Sequence, residues 1–231
     1  ATTTREVSAL APSSDTAGVL NGNTLVINGV GIQAAQGADD DASFENTAST
    51  KAASAIAIAA AINKASDVTG VTAKANANSV KGSGVGFQAA AISKITLNGI
   101  DITTTLGTSS TREDVLQIFN SRSGETGVTA TAYGDGIELN AADGRNISIS
   151  TDLANSATAA AGLGLSGIAV GASDVPTAFY AGVTLSSDKA FTLNSGSEGD
   201  TLNFKALGFS EGTFGGANDG AKIAELDIST V

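Results

Sequence analysis

The chain has 231 residues, a formal charge of −11 and a sequence pI of about 4.2. Its twelve Lys and Arg residues are scattered, so it lacks the clustered cations that counterion release from nucleic acid requires. Cys, His, Met and Trp are absent, which removes thiolate nucleophiles, imidazole bases, thiolate and imidazole metal ligands and disulfides together, and leaves carboxylates, Lys, Tyr and hydroxyls.

The sequence opens "ATTTREVSAL", without an initiator Met or a charged-then-apolar leader, and reads as an excised piece in which residues 1–18 are a connector. A first unit is expected over 19–92. It begins with "LVINGVGI", where Asn28-Gly29 between apolar runs signals a hairpin, because both central residues of a type I′ turn need positive φ. Strands of about four to five residues should flank it. An acidic loop, "AAQGADDDASFEN", leads to a helix in "STKAASAIAIAAAINKASD", with Ser49 as its expected cap. Ile58, Ala61 and Ile62 fall on one stripe of that helix, and burying each Ile contributes roughly 1.5 to 3 kcal/mol. "TGVTAKA" follows as a strand.

A second unit, expected over 93–164, repeats this order. "ITLNGIDI" places Asn98-Gly99 in a second turn, "SSTREDVLQIFNSRSGE" is a helix, and "TGVTATA" is a strand. Ser110 with Glu113 fits a capping box, and Val115, Ile118 and Phe119 form the apolar stripe. Seven positions separate Asn63 from Gly70 and also Asn120 from Gly127, so helix end and strand keep register. Asn28 to Asn63 spans 35 positions and Asn98 to Asn120 only 22, and the extra length sits in the acidic loop. "GDGIELNAADGRNISIS" alternates as a further hairpin, with Ile137 and Leu139 expected to face Ile147 and Ile149. "TDLANSATAAAG" is a short helix with Thr151 or Asp152 as cap and Gly162 as stop.

Residues 165–220 read as a third, mainly β portion, entered by a bend at Pro176 and containing "FYAGVTLSS", "KAFTLNS" and "DTLNFKAL". The expected fold class is α+β, β-rich and turn-rich, with repeated hairpin-helix-strand units and small antiparallel sheets; 28 Gly against 2 Pro favour it over a helical bundle. With 42% hydrophobic residues, much of that Ala and Val, and only 4% aromatics, several modest cores are expected. No apolar run of about 18 residues offers a transmembrane helix, so no membrane partner is expected.

Candidate chemistry is sparse. "GLGLSG", Gly162 to Gly167, matches a dinucleotide fingerprint by letter, but it follows a helix instead of opening one, and reads as a helix stop and linker. Asp39, Asp40, Asp41 and Glu45 offer hard oxygen ligands without the calcium-loop spacing and its central Gly, and read as a solvated acidic loop. The pairs Asp135 with Glu138 and Glu225 with Asp227 lack the aromatic platforms of a sugar cleft, with Tyr133 and Tyr180 the only Tyr residues. Asn146 begins an N-glycosylation sequon and reads as a strand residue; exposed Ser and Thr could accept O-linked glycans. No catalytic, cofactor-binding or metal residue is assigned, and the chain is not expected to be an enzyme.

The phrase "INGVGI … AAAIN … GVTA", repeated as "LNGIDI … LQIFN … GVTA", resembles the flagellin IN motif of bacterial flagellin outer domains and of related hook-associated and filament-capping proteins. "KIAELDISTV" is similar to the stretch where flagellins return to their C-terminal core helix, so 221–231 is expected to lead back to a missing core. The resemblance implies a structural, extracellular surface domain of the flagellum that sets filament properties and antigenicity in motility. Its family-motif residues here are Asn28, Gly29, Ile62, Asn63, Gly70, Val71, Asn98, Gly99, Phe119, Asn120, Gly127 and Val128. It further implies contact with other flagellin subunits through the missing core, and a monomer in isolation. A hook-associated or capping domain and a carbohydrate-binding adhesin module are the alternatives.

Overall fold

The computed structural model describes residues 18–82, 87–198 and 202–215. The connector expected over 1–18 lies outside the described residues except for Gly18, and the expected return segment 221–231, with Glu225 and Asp227, lies wholly outside them. The fold is α+β and β-rich. The chain runs β1 (Leu25–Ile27), β2 (Val30–Gly31), α1 (Ala55–Lys64), α2 (Ser66–Thr69), β3 (Thr72–Ala75), β4 (Asn78–Lys81), β5 (Ile92–Leu97), β6 (Ile100–Leu106), α3 (Arg112–Ser121), α4 (Ser123–Thr126) and β7 (Thr129–Tyr133). It continues through β8 (Gly136–Ala141), β9 (Ile147–Thr151), α5 (Ser156–Gly162), β10 (Thr177–Phe179), β11 (Val183–Ser186), β12 (Phe191–Ser195), α6 (Leu202–Ala206) and β13 (Gly212–Phe214).

Among the described residues the strands form four small sheets, and every pairing between these strands is antiparallel. The orders β13-β12-β1-β2 and β10-β9-β5-β6 are the same arrangement built twice. β3 with β11, and β7 with β8, form a second matched pair, to which β4 adds an edge on β8.

Of the strands expected beyond residue 165, those in "FYAGVTLSS" and "KAFTLNS" form, whereas "DTLNFKAL" carries the helix α6, whose Phe204 is buried in the first core; the strands that form build no sheet of their own. β10 joins the second unit, while β11, β12 and β13 return to complete the first. Among the described residues two large apolar cores follow, with a small third cluster of Ala48, Ala53, Ala178 and Tyr180. One takes Leu20 to Val71 together with Ala181 to Phe209, and the other takes Val80 to Phe179, so the second core is nested within the first along the chain. The chain passes between them at neighbouring points, where Asn76 N–H donates to Gly182 O at 2.9 Å.

Each helix packs the expected stripe. Ile58, Ala61 and Ile62 are buried on α1, as are Val115 and Phe119 on α3, with Ile118 partly buried against the same core. The caps lie elsewhere than expected. Ser54, not Ser49, accepts from Ala57 N–H at 3.1 Å and starts α1. On α3 the capping box is Thr111 with Asp114, one residue beyond Ser110 and Glu113, because both pairs carry the pattern and Ser110 is occupied by Gly107 N–H. Asn155 caps α5. Thr151 ends β9, and Asp152 accepts from Ser93 and Lys94 N–H on β5.

The strand lengths also differ, three and two residues around Gly29 against six and seven around Gly99. The hairpin expected between β8 and β9 is absent. β8 pairs with β7 and β4, and β9 with β5 and β10. The intervening segment carries the chain from one sheet to another, and Ile137, Leu139, Ile147 and Ile149 meet in one core as members of different sheets.

Candidate functional site, a duplicated asparagine framework

The motif residues are the corners of the two units. Asn28 and Gly29 have φ of +50° and +81°, and Asn98 and Gly99 have +48° and +77°, as two type I′ turns require. The side chains do more than tolerate the turn. Asn98 N–H donates to Ser148 O at 2.8 Å, and Asn98 Oδ1 accepts from Ser148 N–H at 2.8 Å. The carboxamide oxygen thus extends the β5–β9 ladder one step past Leu97 and Ile149, where the chain has already begun to turn away. Asn98 Nδ2 donates to Thr126 O at 2.9 Å.

Asn28 repeats all three bonds. Its N–H donates to Thr192 O at 3.0 Å, its Oδ1 accepts from Thr192 N–H at 2.8 Å, and its Nδ2 donates to Thr69 O at 2.8 Å. Asn63 and Asn120 form the second layer. Asn63 Oδ1 accepts from Ala73 N–H and its Nδ2 donates to Ala73 O, at 2.7 and 2.9 Å, fastening the end of α1 to β3. Asn120 holds Ala130 on β7 in the same way, at 2.8 and 2.9 Å.

Between these layers the chain turns at Gly70 and Gly127, the left-handed C-caps of α2 and α4. Thr69 and Thr126 accept from Val71 and Val128 N–H across each turn, both at 3.2 Å. Val71 and Val128, like Ile62 and Phe119, are buried in their respective cores. Thr69, Thr126, Ser148 and Thr192 belong to the framework and were not singled out by sequence. The threonines precede the paired Gly-Val words, a signal that was legible; Ser148 meets Asn98 through main chain, and Thr192 meets Asn28 through main chain with its hydroxyl a further donor to Asn28 Oδ1 at 3.5 Å, pairings that residue type does not reveal.

The acidic loop is not simply solvated. Asp40 is 0% exposed and accepts from Ala42 and Ser43 N–H at 2.9 and 2.8 Å. Burial pushes its carboxyl up, but hydroxyls of Ser43 and Ser54 and these backbone donors together hold it below the ordinary carboxylate value. Asp39 forms an ion pair with Lys64 on α1. Among the described residues no cluster of three or more His, Cys, Asp or Glu is arranged to hold a metal.

The loop's extra length crosses to the second unit. Ser43 Oγ accepts from Asn146 N–H, Asn46 Nδ2 donates to Ser148 Oγ, and Tyr180 Oη donates to Ala48 O. Phe44 lies against Gly99, where an added Cβ would collide with its ring. Asn146 sits in this seam, just before β9, at 0% exposure, and its Nδ2 donates to Ser49 Oγ and Thr50 O. The sequon nitrogen is therefore enclosed in the fold.

The remaining candidates separate. Glu138 is engaged by Ser79 and Lys81 on β4, away from any dyad with Asp135. "GLGLSG" closes α5 in a Schellman motif: Leu165 N–H donates to Ala160 O, Gly164 N–H donates to Ala161 O, and Gly164 has φ of +71°. An open depression of about 570 Å³ lies by Phe87, Ser110, Thr111, Arg112, Glu113 and Asp135. There Arg112 already donates to Gly134 O and pairs with Glu113.

Compared with protein-family models and with curated proteins, the chain matches neither. Its functional reading therefore rests on the duplicated framework and on the motif wording. Among the described residues no helix is long and apolar enough to cross a membrane.

Proposed function

We propose that the chain is the outer, solvent-exposed part of a bacterial flagellin, a structural element of the flagellar filament outside the cell that sets surface properties and antigenicity. The observation that carries the reading is the pair of Asn-Gly units with identical carboxamide bonding, in the wording that resembles the flagellin IN motif. Every motif residue is spent on turn geometry, ladder closure or core packing, as a projecting structural module requires. The charge of −11 suits a surface that repels neighbouring filaments and cells. The role needs no cofactor, metal or catalytic group. In this reading subunit contacts run through core helices beyond this sequence, and the chain alone is monomeric.

Antibodies raised against the chain, applied with gold labels to flagellated cells of the source organism, test the assignment. Labelling along the whole filament is expected. Label confined to the tip or the hook junction would assign the chain to a capping or hook-associated protein. An unlabelled flagellum, together with specific binding on a glycan array, would assign it to an adhesin.

A further inference from the structure

We propose that Asn28 is a spontaneous deamidation site of the folded protein, and that its structural twin Asn98 is protected. The reaction needs only water. The Gly29 amide nitrogen attacks Asn28 Cγ, a C–N bond closes a succinimide, the Cγ–Nδ2 bond breaks, and ammonia leaves with the amide proton. Water then opens the ring at either carbonyl, giving Asp or isoaspartate. A following Gly leaves the nucleophilic nitrogen unhindered, because it has no Cβ.

The duplication supplies its own control. Ile27-Asn28-Gly29-Val30 and Leu97-Asn98-Gly99-Ile100 are near-identical local sequences, so the unfolded chain gives both the same reactivity. In the fold each carboxamide must first leave two backbone partners, Thr192 and Thr69 or Ser148 and Thr126. The rate is then set by how readily each turn opens locally.

That opening differs sharply. Asn28 and Gly29 are both exposed, the flanking strands have three and two residues, and nothing lies within 4 Å of where a Gly29 Cβ would stand. Asn98 is 8% exposed, its strands have six and seven residues, and the Phe44 ring stands against one side of Gly99, which is otherwise exposed. Conversion at Asn28 has a structural consequence. A carboxylate oxygen replaces the Nδ2 donor and faces Thr69 O, acceptor against acceptor, and isoaspartate lengthens the main chain inside the turn. Both changes loosen the corner where β1 meets β12.

The test is incubation of the native protein in mildly alkaline buffer at physiological temperature, with peptide mapping by mass spectrometry and isoaspartyl methyltransferase labelling. Asn28 is expected to convert roughly tenfold or more faster than Asn98. In urea the two rates should converge. The Phe44→Ala variant should raise conversion at Asn98 and leave Asn28 unchanged. Equal native rates, faster conversion at Asn98, or a disparity that persists in urea would overturn the proposal. An unchanged Asn98 rate in Phe44→Ala, or a rise at both sites, would overturn the shielding role given to the ring. A third Asn-Gly, at Asn21–Gly22, has its carboxamide held by Glu198 and no twin for comparison.

Discussion

Gly70 and Gly127 hold the same left-handed backbone, with φ of +69° and +71°, but only Gly127 lies beneath a side chain, the guanidinium of Arg145. Around Gly70 the position of a Cβ is open. Gly70→Ala should therefore cost only the backbone strain, about 1 to 2 kcal/mol. Gly127→Ala meets the same strain and must also displace Arg145 from its bonds to Asp143, at 2.8 and 2.6 Å. Urea unfolding of the two variants should place Gly127→Ala below Gly70→Ala; equal midpoints would show that Arg145 yields freely.

Substituting Gly for Asn at 28 or 98 separates turn conformation from side-chain bonding, since Gly keeps positive φ without strain. Asn98→Gly removes two side-chain bonds from a buried corner and should cost about 2 to 3 kcal/mol, with exposed Asn28→Gly nearer 1 kcal/mol. Denaturant midpoints check both. If both variants prove neutral, the carboxamides contribute only φ preference.

Asp40 gives the fold an acid-sensitive element. Its folded carboxyl titrates below the ordinary value of 3.8, so the unfolded chain binds the proton more readily. The resulting stability is fully present above the unfolded value and is lost as pH falls through the folded one. Asp40→Asn should therefore show a shallower loss of thermal stability below the ordinary carboxylate range than the parent protein. Parallel acid limbs would assign that loss to other carboxylates, of which Asp143, held low by Arg145 against the effect of burial, is the nearest in kind.

The nested cores predict separability. Joining Ala75 to Val183 through a short Gly-rich link should leave the first core folded, and residues 77–181 alone should keep the second, because the chain passes between them where Asn76 meets Gly182. Circular dichroism and cooperative thermal unfolding of both pieces are the readouts. Non-cooperative melting of either would mean that the loop seam, with Asn46, Phe44 and Tyr180, is required for stability.

Elements whose signal is local were legible in the sequence. The Asn-Gly turns, the stripes of α1 and α3, and the repeat itself all follow from short-range spacing, and the structure reproduces them. Caps slipped because Ser-Thr-rich stretches offer several hydroxyls at workable spacing: Ser110 and Thr111 each have an acidic residue three positions on. Long-range pairing was not legible. Nothing local in "KAFTLNS" announces that Thr192 closes a ladder with Asn28 across more than half the chain. The acidic run was misread at one position. Asp40 looks like Asp39 and Asp41 in sequence, and only the fold shows that it turns inward to backbone donors.

The β3–β11 ladder, running from Thr72 with Ser186 to Ala75 with Val183, closes a loop containing the entire second core. A pull applied through the flanks of the first core is carried across that ladder and bypasses everything between. The inner unit would bear load only after the outer one gave way. Under stretching the ladder therefore behaves as a fuse in parallel with a reserve of slack, with yielding expected first at the short strands around Asn28 and length released only later from the loop it closes.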